Sequence, residues 1–251
     1  MVETNNMCKT FSGTKGQETR AVVDVDFKAE PGQIHALLGV NGAGKTTLLR
    51  MLSTVIRPTS GSATVNGFDV VKNSADARSS IGFMSTTTAL YGRLTPREML
   101  AYFGGLYGMH GAKLTSRIEE VLQLLDASSF ADKLCDRLST GQKQRVSIAR
   151  TILHDPPILF FDEPTAGLDI LASQTVLQQI ERARSSGKAV IFSTHIMSEV
   201  ERLADQITII HEGRIRASGT TEALREQSGI QSLEQVFLHF IGGSLNGVSH
   251  S

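Results

Sequence analysis

Eight residues, Gly39-Val40-Asn41-Gly42-Ala43-Gly44-Lys45-Thr46, restrict what this chain can become more than any other segment. They read G-x-x-x-x-G-K-[ST], a loop built to hold phosphate. The apolar run Ile34-His35-Ala36-Leu37-Leu38 before it reads as a buried strand, and Thr47-Leu48-Leu49-Arg50-Met51-Leu52 after it reads as a helix. Strand, glycine loop and helix are the context the pattern needs. Glycines let backbone N–H groups turn inward around an anion, and the helix start adds partial positive charge. The candidate phosphate contacts are Gly39, Asn41, Gly42, Ala43, Gly44, Lys45, Thr46 and Thr47. The Lys45 ammonium reaches toward the outer phosphates, and the Thr46 hydroxyl is placed for Mg²⁺. The plainer alternative is a glycine-rich strand-to-helix turn that binds nothing.

The bulk numbers narrow the class. A chain of 251 residues is long enough for one large domain or two small lobes. The 25 basic and 25 acidic residues cancel, so the charge balance gives no reason to expect nucleic acid. Cys8 and Cys135 are far apart and in no C-x-x-C pairing, which fits a reducing compartment and packing roles rather than a disulfide or zinc site. There is no run of 18 apolar residues, and Met1-Val2-Glu3-Thr4-Asn5-Asn6 lacks the layout of a signal peptide.

Along the chain, Val23, Val25 and Phe27 alternate with Asp24, Asp26 and Lys28, which predicts an exposed strand over 20–29. Two short strands are expected at 61–66 and 79–84. Residues 95–155 then read as mostly helix. Thr95-Pro96-Arg97-Glu98 is a helix start with a mechanism: Thr95 caps, proline suits the first turn, and Glu98 reaches back to close a capping box. A second helix is expected over about 115–126, with Ile118, Val121, Leu122 and Leu125 on one face. Apolar runs return at 158–161, 189–192 and 206–210. Continuous apolar runs separated by helical segments predict a parallel sheet covered on both faces, interrupted by a helical block. Leu233, Val236, Phe237, Phe240 and Ile241 form a C-terminal helical stripe, read as docking on the core. The Gly/Ser/Asn-rich stretch from Gly242 reads as a frayed tail.

Three further groups carry chemistry. Asp162-Glu163 follows an apolar strand, so Asp162 is the candidate Mg²⁺ ligand, directly or through water. Glu163, just past the strand, is placed to polarise a water in line with a terminal phosphate. His195 ends another apolar strand and faces the same edge. Leu138-Ser139-Thr140-Gly141-Gln142 opens a helix with a hydroxyl and free N–H groups, a second anion site. One nucleotide does not need two such sites, so the second is expected to serve another copy of the chain, head-to-tail about a two-fold axis.

These residues together resemble the ATPase subunit of an ABC transporter over nearly the whole chain. Leu138-Ser139-Thr140-Gly141-Gln142 is similar to the LSGGQ signature, departing from it at Thr140. Ile158–Glu163 resembles the Walker B strand with its catalytic glutamate. Ala166-Gly167-Leu168-Asp169 resembles the loop that crosses to the partner subunit, and His195 the switch histidine. Phe11 sits where the family places an aromatic on adenine; a core phenylalanine is the alternative. Where the family carries a Gln after the strand near 81–85, this chain has Thr86. Leu90-Tyr91-Gly92-Arg93-Leu94-Thr95-Pro96-Arg97-Glu98 resembles a segment of bacterial sodium-extruding and drug-exporting ABC ATPases.

The resemblance implies a RecA-like P-loop α/β fold. Its mostly parallel sheet has helices on both faces, antiparallel strands on the N-terminal side and an inserted helical subdomain. It divides the chain into a core (1–86 and 156–228), a helical insertion (87–155), a C-terminal helix (229–241) and a tail (242–251). It implies ATP and Mg²⁺, with Lys45, Glu163 and His195 catalytic, Thr46 and Asp162 on the metal, and Ser139, Gly141, Gln142 and Asp169 acting across a dimer. The implied partners are a second ATPase subunit, identical or paired, and an integral-membrane permease. The implied place is the cytoplasmic face of the cell membrane, and the implied direction is export. Two alternatives stand beside it: a soluble ABC ATPase, and a regulatory nucleotide-binding subunit that hydrolyses weakly. The membrane partner's docking surface is expected near 85–110, with Leu90, Tyr91 and Leu94 in it.

Overall fold

The computed structural model describes residues 1–13, 17–85 and 90–242. The N-terminal strand β1 (Val2–Ser12) pairs antiparallel with β2 (Glu18–Val25) and then with β3 (Lys28–Ala29). The stretch expected as one strand over 20–29 is therefore broken after Val25. Thr4 explains the break: its Oγ1 donates to Val25 O and accepts from Phe27 N, both at 2.8 Å, while Asp26 Oδ1 caps Asn6 N. These side-chain bonds replace ladder bonds for two residues.

Strand β4 (Ile34–Leu38) runs into the glycine loop and helix α1 (Lys45–Leu52). After β5 (Ser60–Val65), β6 (Phe68–Asp69) and the short helix α2 (Ser74–Ser79), the chain enters β7 (Ile81–Ser85). Helices α3 (Pro96–Leu106), α4 (Gly111–Leu124) and α5 (Thr140–Ile152) follow. At the start of α3 the capping box is present: Glu98 N donates to Thr95 Oγ1, and Thr95 N donates to Glu98 Oε2. The chain then alternates β8 (Ile158–Asp162), α6 (Ile170–Ser185), β9 (Ala189–Thr194), α7 (Met197–Leu203) and β10 (Gln206–His211). It closes with β11 (Arg214–Gly219), α8 (Thr221–Ser228) and α9 (Leu233–Phe240).

The central sheet has the order β11-β10-β4-β9-β8-β7, all parallel except for the edge hairpin β10–β11. Its apolar runs divide by twos. Leu159, Phe161, Val190 and Phe192 face a core shared with α3 to α9, while Ile158, Phe160, Ala189 and Ile191 face α1 and the antiparallel sheet. Both faces are thus dry, which is why these strands read as unbroken hydrophobic runs. On the second face α1 shares the cover with β-sheet. Of the C-terminal stripe, Leu233, Val236 and Phe237 are buried, with Phe240 and Ile241 packed against them.

His35 lies inside this core, its ring 4.6 Å from that of Phe27 and its Nε2 2.8 Å from Thr208 Oγ1. Burial lowers its pKa from 6.5 to about 4. The unfolded chain therefore takes up this proton first, and stability falls as pH drops from about 6.5 towards 4. Between pH 7 and pH 5 this one group removes about 2 kcal/mol. Urea unfolding of His35→Gln should show a loss smaller by that amount over the same interval; an unchanged pH slope would rule the histidine out.

Candidate functional site

The register of the parallel strands brings the chemistry to one edge. Leu38 pairs with Thr194, and Asp162 with Ser193, so the C-terminal ends of β4, β8 and β9 are level. Gly39, Glu163 and His195 each leave their strand there. The glycine loop passes close to backbone: a Cβ on Gly39 would lie 2.5 Å from Ile210 O, and one on Gly44 would lie 2.5 Å from Ala21 O. Gly42 and Gly44 also hold φ of +82° and +107°, which side chains resist. A cleft forms above, lined by Asn41 to Thr47, Ala21 and Glu163.

Lys45 is buried. Its ammonium donates to Gly39 O at 2.6 Å and Val40 O at 3.2 Å, and meets Glu163 Oε1 at 2.9 Å. That last contact is an ion pair without hydrogen-bond alignment. Glu163 Oε2 lies 2.9 Å from His195 Nδ1. Glu163 thus joins Lys45 to His195. Its backbone has a φ of +48°, in the left-handed region, and its N–H donates to Ser193 O and Oγ. A non-glycine residue held there costs about 1–2 kcal/mol. At an active-site edge such a cost marks a side chain aimed by its surroundings.

Asp162 is buried and carries no ion pair among the described residues. Its Oδ1 accepts from Thr46 Oγ1 at 2.9 Å and from Ser193 Oγ at 2.8 Å. A buried carboxylate offset among the described residues by hydroxyls, beside a phosphate loop, suits a divalent cation. Among the described residues no cluster of three or more acidic, histidine or cysteine side chains forms a protein cage. Mg²⁺ needs none, since it takes one or two protein oxygens with water and phosphate.

The second anion site lies elsewhere. Ser139 caps α5, its Oγ accepting from Gln142 N while Gln142 Oε1 accepts from Ser139 N. Asp169 caps α6 through Ala172 N, and Gly141 abuts Ala172. Ser139 and Asp169 are exposed and Gly141 and Gln142 half-buried, and all four lie outside the cleft. Beside them Ile170 and Leu171 are 80% and 81% exposed. Phe11 is not a core residue; it is exposed, with Lys9 Nζ 5.1 Å from its ring centre, on the hairpin that supplies Ala21 to the cleft. Thr86 lies outside the described residues, as does the tail from 243 onward.

Sequence reading missed the clamp behind the site. Glu199 on α7 is 6% exposed and has no cationic partner among the described residues. It accepts from Thr165 Oγ1 and, at 2.8 Å, from Thr194 Oγ1. Thr165 lies two residues past Glu163, and Thr194 one before His195. Glu199 therefore ties both catalytic-side loops together, a link between distant residues that no local pattern announces. In Glu199→Gln one of the two threonine hydroxyls must turn from donor to acceptor, and both bonds lose their charge assistance. Steady-state kinetics should show turnover about tenfold lower with KM for ATP little changed. Wild-type turnover would mean the clamp is only structural.

A parallel α/β sheet with a glycine loop, a buried Asp and a Glu–His pair at its edge defines a P-loop nucleotide-hydrolysing domain. The ABC transporter family model matches residues 22–166. The chain is 38% identical to the ABC transporter ATP-binding protein NatA of Bacillus subtilis (strain 168), over 92% of this chain and 94% of that protein. It is 36% identical to Nod factor export ATP-binding protein I of Paraburkholderia xenovorans (strain LB400), over 84% of this chain and 69% of that protein. Among solved structures, the dimeric post-hydrolysis state of the ATP-binding cassette MJ0796 bound to ADP and Pi matches with a TM-score of 0.79 and 26% identity. It covers 88% of this chain and 98% of that one. The chain belongs to the ABC transporter family, as its ATP-binding and ATP-hydrolysing subunit.

Proposed function

We propose that this chain is the engine of an ABC exporter: two ATPase subunits close on two ATP molecules and drive a separate membrane permease. The observation that carries the pairing is the separation of the two anion sites. Lys45 and Glu163 line one cleft, with His195 bonded to Glu163 beside it, while Ser139 and Asp169 are exposed, and Gly141 and Gln142 half-buried, outside that cleft. One chain offers half of each of two sites, and a second copy completes both. The dimeric cassette with ADP and Pi supports this, and the name of the Nod factor export relative supports export.

In this reading the loop N–H groups and Lys45 hold the phosphates, and Phe11 stacks on adenine. Thr46 and Asp162 hold Mg²⁺, which neutralises phosphate charge when bound. Glu163 takes a proton from the attacking water, and His195 holds Glu163 and the terminal phosphate in place. For phosphate to reach Lys45, its contacts to Gly39 O, Val40 O and Glu163 must be exchanged, so binding itself frees the base. Residues 87–155 act as the lobe that transmits closure. Among the described residues no helix is long and apolar enough to cross a membrane, so the membrane path belongs to the permease. The chain then works at the cytoplasmic face.

The docking surface is narrower than the run of apolar residues suggests. Tyr91 is 53% exposed, but Leu90 and Leu94 are partly buried against the core, so their substitution also weakens the fold. Tyr91→Ala is the cleaner test. ATP-dependent capture of a multi-span protein from detergent-solubilised membranes should fall several-fold, with basal ATPase activity intact. Undiminished capture would move the surface elsewhere.

A further inference from the structure

Beside Tyr91 a groove of about 340 Å³ opens between β7, α3 and α5. Its walls are aromatic: Tyr91, Phe103 and Tyr107, the last stacked on His154 at 3.6 Å between ring centres. At its floor is Arg150, only 9% exposed. The guanidinium carbon lies 5.2 Å from the centre of the Phe103 ring. Among the described residues no hydrogen bond or ion pair engages it. Thr86, Thr87, Thr88 and Ala89, which follow Ser85 in the sequence, carry no carboxylate. Burial holds Arg150 below its ordinary pKa and Tyr107 above its own, and lowers that of His154 to about 4. Near pH 7 Tyr107 and His154 are neutral. Among the described residues lining the groove, Arg150 is the charged one.

A buried charge without a counter-ion is costly, and a ring face offsets only about 2 kcal/mol of that cost. We propose that this groove is a carboxylate-binding site whose ligand is an Asp or Glu side chain, flanked by apolar residues, on the docking segment of the membrane partner. The proposal rests on the reading that the Tyr91 surface meets that partner. The planar fork of Arg150 pairs with both carboxylate oxygens, and the aromatic walls take the flanking apolar groups. Exposed Tyr102 and Leu106 extend the apolar rim. Docking thereby supplies the counter-ion that the described residues lack, and a partner without an acid at this point is rejected.

Two measurements decide it. The first titrates the protein with 3-phenylpropionate and with its neutral analogue 3-phenylpropanamide, following arginine Nε–Hε signals by NMR. The carboxylate should move the Arg150 signal and bind at least about tenfold tighter, and Arg150→Met should erase the difference. Equal binding of the two, or an unmoved Arg150 signal, overturns the site. The second compares membrane capture by Arg150→Met, Arg150→Lys and Tyr91→Ala, after checking that each keeps basal ATPase activity. Loss with Arg150→Met and Tyr91→Ala, and partial retention with Arg150→Lys, supports the proposal. Loss with Tyr91→Ala alone removes the carboxylate and leaves the docking surface standing. Loss with none removes both.

Discussion

Replacing Glu163 by Gln lowers ATP turnover by roughly 10²–10⁴-fold, the scale of a positioned general base, while ATP binding persists. The geometry says why the two effects separate. Glu163 reaches Lys45 with one oxygen and His195 with the other, so a neutral amide removes the proton acceptor without touching the loop. It also removes the carboxylate that competes with phosphate for Lys45. ATP affinity should therefore hold or improve, and the ATP-bound dimer should persist long enough to appear as a larger species in gel filtration. The left-handed backbone at this position is set by bonds from Glu163 N–H to Ser193, which Gln keeps, so the thermal midpoint should barely move. Turnover near the wild-type rate would remove Glu163 from the role of base. Lost ATP binding would show instead that its pairing with Lys45 holds the loop in shape.

Glu163 is legible in the sequence itself, because it follows an apolar strand downstream of a phosphate loop. Local patterns sufficed wherever one pattern reported one physical demand. Unbroken apolar runs marked strands dry on both faces. Thr95 to Glu98 announced a capping box, and Gly39 to Thr46 a phosphate loop. Such patterns fell short where side chains far apart in sequence bond to each other. Thr4 breaking the strand at Val25, Ser193 serving Asp162 and Glu163, and Glu199 bridging Thr165 to Thr194 leave no periodic trace. Arg150 was hidden by its charge, which suggests solvent even though it lies four residues after buried Val146 and three before buried Leu153; the packing beside Phe103 and Tyr107 shows it to be buried. Leu90 and Leu94 erred the other way, as apolar residues in a loop that turned out to be half in the core.

The loop glycines give the other large effect, and they separate strain from collision. Gly42 and Gly44 both hold positive φ, but only Gly44 is crowded. A Cβ there would lie 2.5 Å from Ala21 O and 3.3 Å from the Gly213 Cα, whereas nothing lies within 4 Å of one on Gly42. Those two neighbours cannot yield easily. Gly213 N donates to Ala43 O, and Val23 N donates to Gly213 O, so loop, hairpin turn and β2 are tied together. Gly42→Ala should cost about 1–2 kcal/mol from backbone strain alone. In Gly44→Ala an overlap of about 1–3 kcal/mol adds to that, and the loop must shift to relieve it. A shift of about 1 Å in groups that hold the reacting phosphate costs about 10² in rate. Gly44→Ala should therefore lose ATPase activity at least to that extent and melt earlier, with Gly42→Ala affected far less on both counts. Equal behaviour of the two variants in a paired melting and ATPase experiment would mean that strain, not contact with Ala21, is what reserves these positions for glycine.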